Sequence, residues 1–291
     1  MTTAARREPV AGEQGRPVAS LLLRRVRSTL LALILPSVVV AIWWLATALQ
    51  LIPKVFLPPP QKVLGALIEW ITGIAVFGDP AHAYAGTWFE SVFSSGQRVL
   101  AGYIVGSVIG IVLGGLLGYF AFLRRLVEPT IHMLRAIPII GWLPLSLVFF
   151  GLGIQAAIFL VALGVVFPVI VNAMAGVRGA NPALLRVGQM AGANTFQLIR
   201  HIIGPSALPA IFTGLRVAMG FAWILVIVAE WMAVRTGLGF TLLDSYNFLR
   251  YDYVIAAMIS VGLMGFLSDR MLALLFRPIL RWHFETTIEG E

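Results

Sequence analysis

A chain of 291 residues with 59% hydrophobic and only 12% charged side chains is excluded from the ordinary soluble domains, where about a quarter of residues carry charge. The formal net charge of +8 does not mark a nucleic-acid binder, because Arg6, Arg7, Arg16, Arg24, Arg25 and Arg27 all precede the first apolar run, where they act as a cytoplasmic retention signal. The absence of cysteine excludes a disulfide framework, a thiolate metal site and a cysteine nucleophile.

In chain order, residues 1–27 form a basic cytoplasmic tail, and its first 20 residues, polar and rich in Pro, Gly and Ala, have little fixed structure. Residues 28–282 read as an all-α domain of six membrane-crossing helices, each supplying the roughly 20 apolar residues that a hydrocarbon core of about 30 Å requires. The first span, 30–52, is too long for a signal-peptide core and is a retained anchor. Pro58-Pro59-Pro60 is an extended spacer. Val63, Leu64, Leu67, Ile68 and Ile71 then share one apolar helical face, as expected of a helix lying in the outer interface.

The second span, 99–120, carries Gly102, Gly106, Gly110, Gly114 and Gly118, a row without side chains that lets another helix approach closely. The third, 129–150, is interrupted by Pro138 and Pro144. The carbonyls such prolines free are tolerated where neighbours or a water-lined cavity satisfy them, so this helix is the first candidate to line a pathway. Gly151-Leu152-Gly153 is a tight outer turn, and the fourth span, 154–176, contains Pro168 and Asn172. The fifth and sixth spans, 212–233 and 254–276, flank an outer loop with Gly237, Gly239 and the charged stretch 250–252; residues 283–291 form a cytoplasmic tail. Both termini then lie in the cytoplasm, with Arg124, Arg125, Arg178, Arg186, Arg200, Arg216, Arg277 and Arg281 on that side and Lys54, Lys62, Arg98, Arg235 and Arg250 outside.

Between the fourth and fifth spans, residues 181–209 are not a span. Asn181-Pro182 is a capped helix start. Leu184, Leu185, Val187 and Met190 recur at helical spacing until Gly192 stops the run. Asn194-Thr195 starts a second helix, in which Phe196, Leu198, Ile199, Ile202 and Ile203 recur before Gly204-Pro205 ends it. Arg186, Arg200 and His201 give a basic, water-facing side. The expectation is a helix–turn–helix at the membrane surface, polar outside and apolar inside.

Catalytic chemistry is not legible. The only lysines, Lys54 and Lys62, lie in no phosphate-cradling G-x-x-x-x-G-K-[ST] motif, so ATP is not hydrolysed by this chain. His82, His132, His201 and His283 fall on both sides of the membrane, which argues against a shared metal site, and Glu128 with His132 reads as a surface pair. Ionisable and polar groups inside apolar runs are functional candidates by default. Glu230 lies near the outer interface, as part of an outer gate, in binding-protein docking or as a satisfied carboxylate; Arg135 snorkels or draws an anion inward. Gln155 and Asn172 are neutral donors for a pathway, and Asp269 and Arg270 are expected in structural ion pairs.

The spacing of Gly192, Ile202 and Pro205 resembles the glutamate-alanine-alanine coupling loop of ABC-importer permeases, with Arg186-Val187-Gly188 where Glu-Ala-Ala would stand and Gly204 replacing a leucine. Leu57-Pro58-Pro59-Pro60, Arg98-Val99-Leu100-Ala101-Gly102, Trp142-Leu143-Pro144-Leu145, Phe150-Gly151-Leu152-Gly153, Phe167-Pro168, Thr213-Gly214-Leu215-Arg216, Ala229-Glu230 and Gly237-Leu238-Gly239 are similar to the nitrate/sulfonate/taurine branch. The resemblance covers essentially residues 30–282.

It implies a MetI-like permease of a bacterial inner membrane, two copies of which form a pore. Two ATPase subunits, which hold the ATP and Mg, dock below, and a periplasmic or lipid-anchored binding protein delivers the solute. The solute class it implies is a small anion such as sulfonate, taurine, nitrate or bicarbonate, moved by alternating access. Arg186, Gly188, Gly192, Ala193, Asn194, Phe196, Arg200, Ile202 and Pro205 would form the elbow that meets the ATPase. The competing class, a secondary transporter or channel independent of ATP, would need more buried ionisable groups for a proton or sodium relay.

Overall fold

The computed structural model describes residues 18–76 and 84–280, so the predicted first tail residues, His82, His283 and the C-terminal tail lie outside the described residues. All regular structure among the described residues is helical. The chain divides into two units at Pro60.

In the first unit, α1 runs Val18–Ala48, earlier at both ends than the predicted 30–52. It stops where Gln50 takes a φ of 55°, a left-handed conformation that a continuing helix cannot accommodate. Trp43 Nε1 donates to the Pro58 carbonyl at 3.1 Å, folding the proline spacer back on the helix end. Leu35, Val39 and Ile42 are exposed, an apolar surface suited to lipid.

The second unit opens with α2, Pro60–Thr72. Its packed face is Val63, Ala66 and Trp70, while Leu64 and Ile68 are exposed, so the single apolar face read from the sequence is split. Trp70 decides the rotation: its ring lies 6.3 Å from that of Tyr253 and its Nε1 donates to Thr87 Oγ1 at 3.2 Å.

The core is built on α3 (Trp88–Tyr119) and α6 (Ile154–Arg178). A Cβ placed on Gly102, Gly106, Gly110, Gly114 or Gly118 would lie 2.6–2.7 Å from Val161, the Ala162 carbonyl, Val169, the Ile170 carbonyl or Val177 respectively. Rows at four-residue spacing on both helices therefore mesh, with β-branched side chains of α6 filling the glycine groove and backbones in close approach. The pairing ascends together in both helices, so α3 and α6 run parallel. A parallel pair requires that the intervening chain return to the opposite end.

That return is made by α4 (Ala121–Ala136), a 3₁₀ turn (Ile139–Trp142) and α5 (Leu143–Phe150). The third span is thus not one helix: α4 and the segment Ile139–Phe150 meet at 91°. Pro138 forces the break, since Ile137 before it takes an extended ψ of 123°. Pro144 breaks nothing; it stands in the first turn of α5, where its missing N–H is harmless. Leu123, Val127 and Ile131 of α4 pack against Leu117, Ile170 and Met174.

The remaining elements are α7 (Pro182–Met190), α8 (Thr195–Leu198), a π turn (Ile199–Ile203), α9 (Gly204–Ala233), α10 (Leu238–Asn247) and α11 (Tyr251–Phe276). α9 packs antiparallel to α6, with Gly176 against Ala207, Gly214 against Asn172 and Gly164 against Leu225. α11 runs antiparallel to α9, held by Trp223 Nε1 donating to Ser268 Oγ at 3.1 Å. Among the described residues four helices are long and apolar enough to cross a membrane, and the bent pair makes five. The arrangement leaves α7 and α8 at one end of the bundle and the α9–α10 turn at the other.

Candidate functional site

At the α9–α10 end, charges from two apolar helices meet. Glu230, one turn before the end of α9, is fully buried, and Arg98 on α3 is 4% exposed. Arg98 Nη1 donates to Glu230 Oε1 at 2.5 Å and to the Thr236 carbonyl at 2.8 Å, and Nη2 donates to Thr236 Oγ1 at 2.7 Å. Ser95 Oγ donates to Glu230 at 2.8 Å and accepts the Leu238 N–H at 2.8 Å. The Gly239 N–H donates to Glu230 Oε2 at 2.8 Å, so the carboxylate sits at the N-terminus of α10, where the helix dipole favours negative charge. Gly237 takes a φ of +116° to make the turn, and a Cβ there would lie 2.5 Å from the Glu230 carboxylate. This clamp ties α3, α9 and α10 together at the 234–239 turn.

The sequence placed Glu230 near the outer interface and gave Arg98 as a topology charge and a motif residue, but not as its partner, and Ser95 and Thr236 were missed. The signal was available: a cation at the outer start of the second span and an anion near the outer end of the fifth lie at the same membrane face and have a strong electrostatic reason to pair.

A cleft of about 550 Å³ adjoins the clamp, lined by Arg98, Trp231, Arg235, Thr236, Asp244 and Asn247 together with the turn before α6. Asp244 accepts a hydrogen bond from the Tyr84 hydroxyl. Burial, reinforced by Asp244, pushes the Tyr84 phenol up to about 12, so it remains a donor at neutral pH.

The other predicted pathway residues do not gather with Glu230. Arg135 is exposed in the last turn of α4, and Pro138 and Pro144 are exposed around the bend. Gln155 is exposed in the first turn of α6, with roughly 25 Å of helix between it and Asn172. Asn172 is half-buried, and its Nδ2 donates to the Pro168 carbonyl of its own helix at 2.9 Å.

At the opposite end, α7 and α8 form the elbow. Asn181 caps α7 by accepting the Ala183 N–H at 2.9 Å. Asn194 and Gln197 form a reciprocal capping box at 2.8 and 2.9 Å. Gly192 takes a φ of +78° with open space around it, so glycine is required there by backbone conformation and not by packing. Gly188 is required by packing: a Cβ would lie 2.7 Å from Leu198 and 3.0 Å from Ile202. The Ala193 N–H returns to the Gly188 carbonyl at 3.0 Å, closing the turn, while Arg186 and Arg200 point to the exposed side.

Two expectations for this stretch are corrected. Most of its periodic apolar residues are not inside: Leu184 (53%), Val187 (57%), Phe196 (68%) and Met190 (81%) are exposed, and of the periodic set only Leu198 and Ile203 are buried. Gly204-Pro205 does not end the second helix either; helix continues from Thr195 to Ala233. The Gly204 N–H reaches back to the Ile199 carbonyl in a π turn, which resets the register so that Pro205 falls in a first turn. Nearby, Arg216 grips Asp269 through two bonds of 2.7 and 2.6 Å. Asp269 thus makes the expected ion pair, whereas Arg270 lies over the Phe266 ring at 5.1 Å. Glu128 lies 3.7 Å from His132 and 4.0 Å from Arg124 on α4. No group of three metal-ligating side chains occurs among the described residues.

Residues 106–281, more than half of the chain, match the family described as the binding-protein-dependent transport system inner membrane component. The chain is 34% identical over 249 residues to the taurine transport system permease protein of Escherichia coli, covering 86% of this chain and 88% of that one. It is 32% identical over 219 residues to the nitrate import permease protein of a Synechocystis species, covering 75% and 78%. The fold is similar to that in inward-facing structures of the MetNI methionine ABC transporter, with a TM-score of 0.51 and 22% identity over 64% of this chain and 94% of that one. The chain belongs to the inner membrane components of binding-protein-dependent transport systems, in the nitrate/sulfonate/taurine branch of ABC-importer permeases.

Proposed function

We propose that this chain forms the translocation pathway of an ATP-driven importer for a small anion of the sulfonate, taurine, nitrate or bicarbonate kind. The observation that carries the reading is the elbow. Two helices that satisfy their own termini present Leu184, Val187, Met190 and Phe196 outward at one end of the bundle. In water an apolar cluster of that kind is a docking surface. A partner ATPase, two copies of which hold ATP and Mg, fits that surface, and the basic residues Arg186 and Arg200 beside it suit an acidic groove. In this reading the elbow end is cytoplasmic, as are both termini, in the plasma membrane, and a second, identical copy completes the pore. A solute-binding protein delivers from the clamp end. Closure of the ATPase dimer around ATP pushes the elbows together and exchanges inward-open for outward-open arrangements, a differential-binding switch.

The test is Gly192→Val in the importer reconstituted in proteoliposomes. A β-branched residue cannot hold the left-handed turn, so α7 and α8 lose their relative angle. Membrane insertion should be unchanged while ATP hydrolysis no longer responds to solute-loaded binding protein. Normal stimulated hydrolysis together with normal uptake in this variant would contradict the coupling role.

A further inference from the structure

The cleft beside the clamp is absorbed neither by the elbow nor by the predicted pathway residues, and its wall has the chemistry of an anion site. α6 opens onto it through Leu152, Gly153 and Ile154. This 25-residue helix has Gly153 at its N-cap and no side-chain cap, so its first N–H groups and positive dipole end have no side-chain acceptor. Arg98 lines the same cleft, is 4% exposed, and its Nε has no hydrogen-bond partner among the described residues. Arg235 stands exposed on the wall and makes no ion pair among the described residues. The one carboxylate on the wall, Asp244, is engaged by the Tyr84 hydroxyl. A volume of about 550 Å³ is that of a small-molecule pocket, and Trp231 and Phe240 give it an apolar side.

We infer that this cleft is a recognition site on the permease itself for a small organic oxyanion. The charged end of the ligand lies on the α6 N-terminus and Arg235, and its carbon body lies against Trp231 and Phe240. Arg98 and Glu230 are positioning residues: Glu230 holds Arg98, and Arg98 in turn grips Thr236 and fixes the turn that carries Arg235. The site rests on the importer reading and deepens it, since it makes this chain, and not only a binding protein, a judge of the solute.

Trp231 supplies a readout. Ethanesulfonate titrated onto the chain in neutral-lipid nanodiscs at constant ionic strength should change tryptophan emission saturably, and Trp231→Phe should abolish the change. Arg235→Gln should weaken the apparent Kd by about tenfold or more, the scale of a charge-assisted contact, and Arg235→Lys should restore most of it. Choline should give no saturable response. An unchanged Kd in Arg235→Gln, or an equal response to choline, would overturn the site. So would a variant that loses affinity for the binding protein but keeps the ethanesulfonate titration, because the cleft would then belong to a protein partner. Uptake by the assembled importer separates this inference from the reading beneath it. Wild-type ATP-driven uptake with an unaltered KM in Arg235→Gln removes the cleft and leaves the permease, whereas no ATP-driven uptake by the wild-type assembly removes the permease role.

Discussion

The two ends of the bundle satisfy helix termini in opposite ways. At the clamp, the N-terminus of α10 is served by Ser95 from α3, 143 positions away, and by Glu230 from α9, both fully buried. At the elbow, α7 and α8 are served by Asn181 and Asn194, their own neighbouring residues, at the surface. The clamp is closed on itself and every charge in it has a partner. The elbow helices cap their own N-termini, and Met190 and Phe196 face outward. One end is finished within this chain; the other carries the exposed apolar face on which the proposed ATPase would dock.

That contrast can be broken by mutation, most severely at the clamp. Arg98→Met leaves the Glu230 carboxylate buried without its cation and should lower stability by about 3–5 kcal/mol, read as the thermal unfolding midpoint in detergent. The double variant Arg98→Met/Glu230→Leu should recover much of this loss; a double variant as unstable as the single would mean that the charges are not what holds the turn. Next in size, Gly110→Leu should cost about 1–3 kcal/mol by overpacking against Val169. Gly115→Leu, where an added Cβ meets nothing within 4 Å, is its control and should unfold like the wild type.

At the elbow the effects should be smaller and local. Asn194→Ala removes a capping box and should cost about 0.5–2 kcal/mol, visible as faster hydrogen exchange at the α8 amides with little change in global unfolding. Phe196→Ser should alter stability by no more than about 0.5 kcal/mol yet reduce the amount of ATPase retained on purification. If Phe196→Ser destabilised the isolated chain as much as a core change, the elbow face would be part of this chain's own packing.

Much of this architecture was legible in the sequence because it is local or periodic. The glycine row predicted close packing on one face, and Asn181-Pro182, Gly192 and Asn194-Thr195 marked the start and stop of α7 and the start of α8. The misses are long-range or depend on what lies opposite a residue. The rotation of α2 was decided by Trp70 meeting Tyr253, far along the chain. The bend at Pro138 was visible as a proline but not as a change of direction by 91°. The continuity through Gly204-Pro205 depends on a π turn, and no residue pattern distinguishes that from a stop. Arg98 was given a topological role because charge counting treats each residue singly. Its partner lies 132 positions away.

The most direct measurement of the central claim is quantitative co-purification from the native membrane after mild detergent extraction. The tagged chain is isolated in parallel with its Phe196→Ser and Arg98→Met/Glu230→Leu variants. A nucleotide-binding ATPase subunit should accompany the wild type in equal amount, be depleted by Phe196→Ser, and be retained by the clamp variant. A wild-type chain that comes out alone, or as a bare oligomer, would contradict the account and move an ATP-independent transporter to the front.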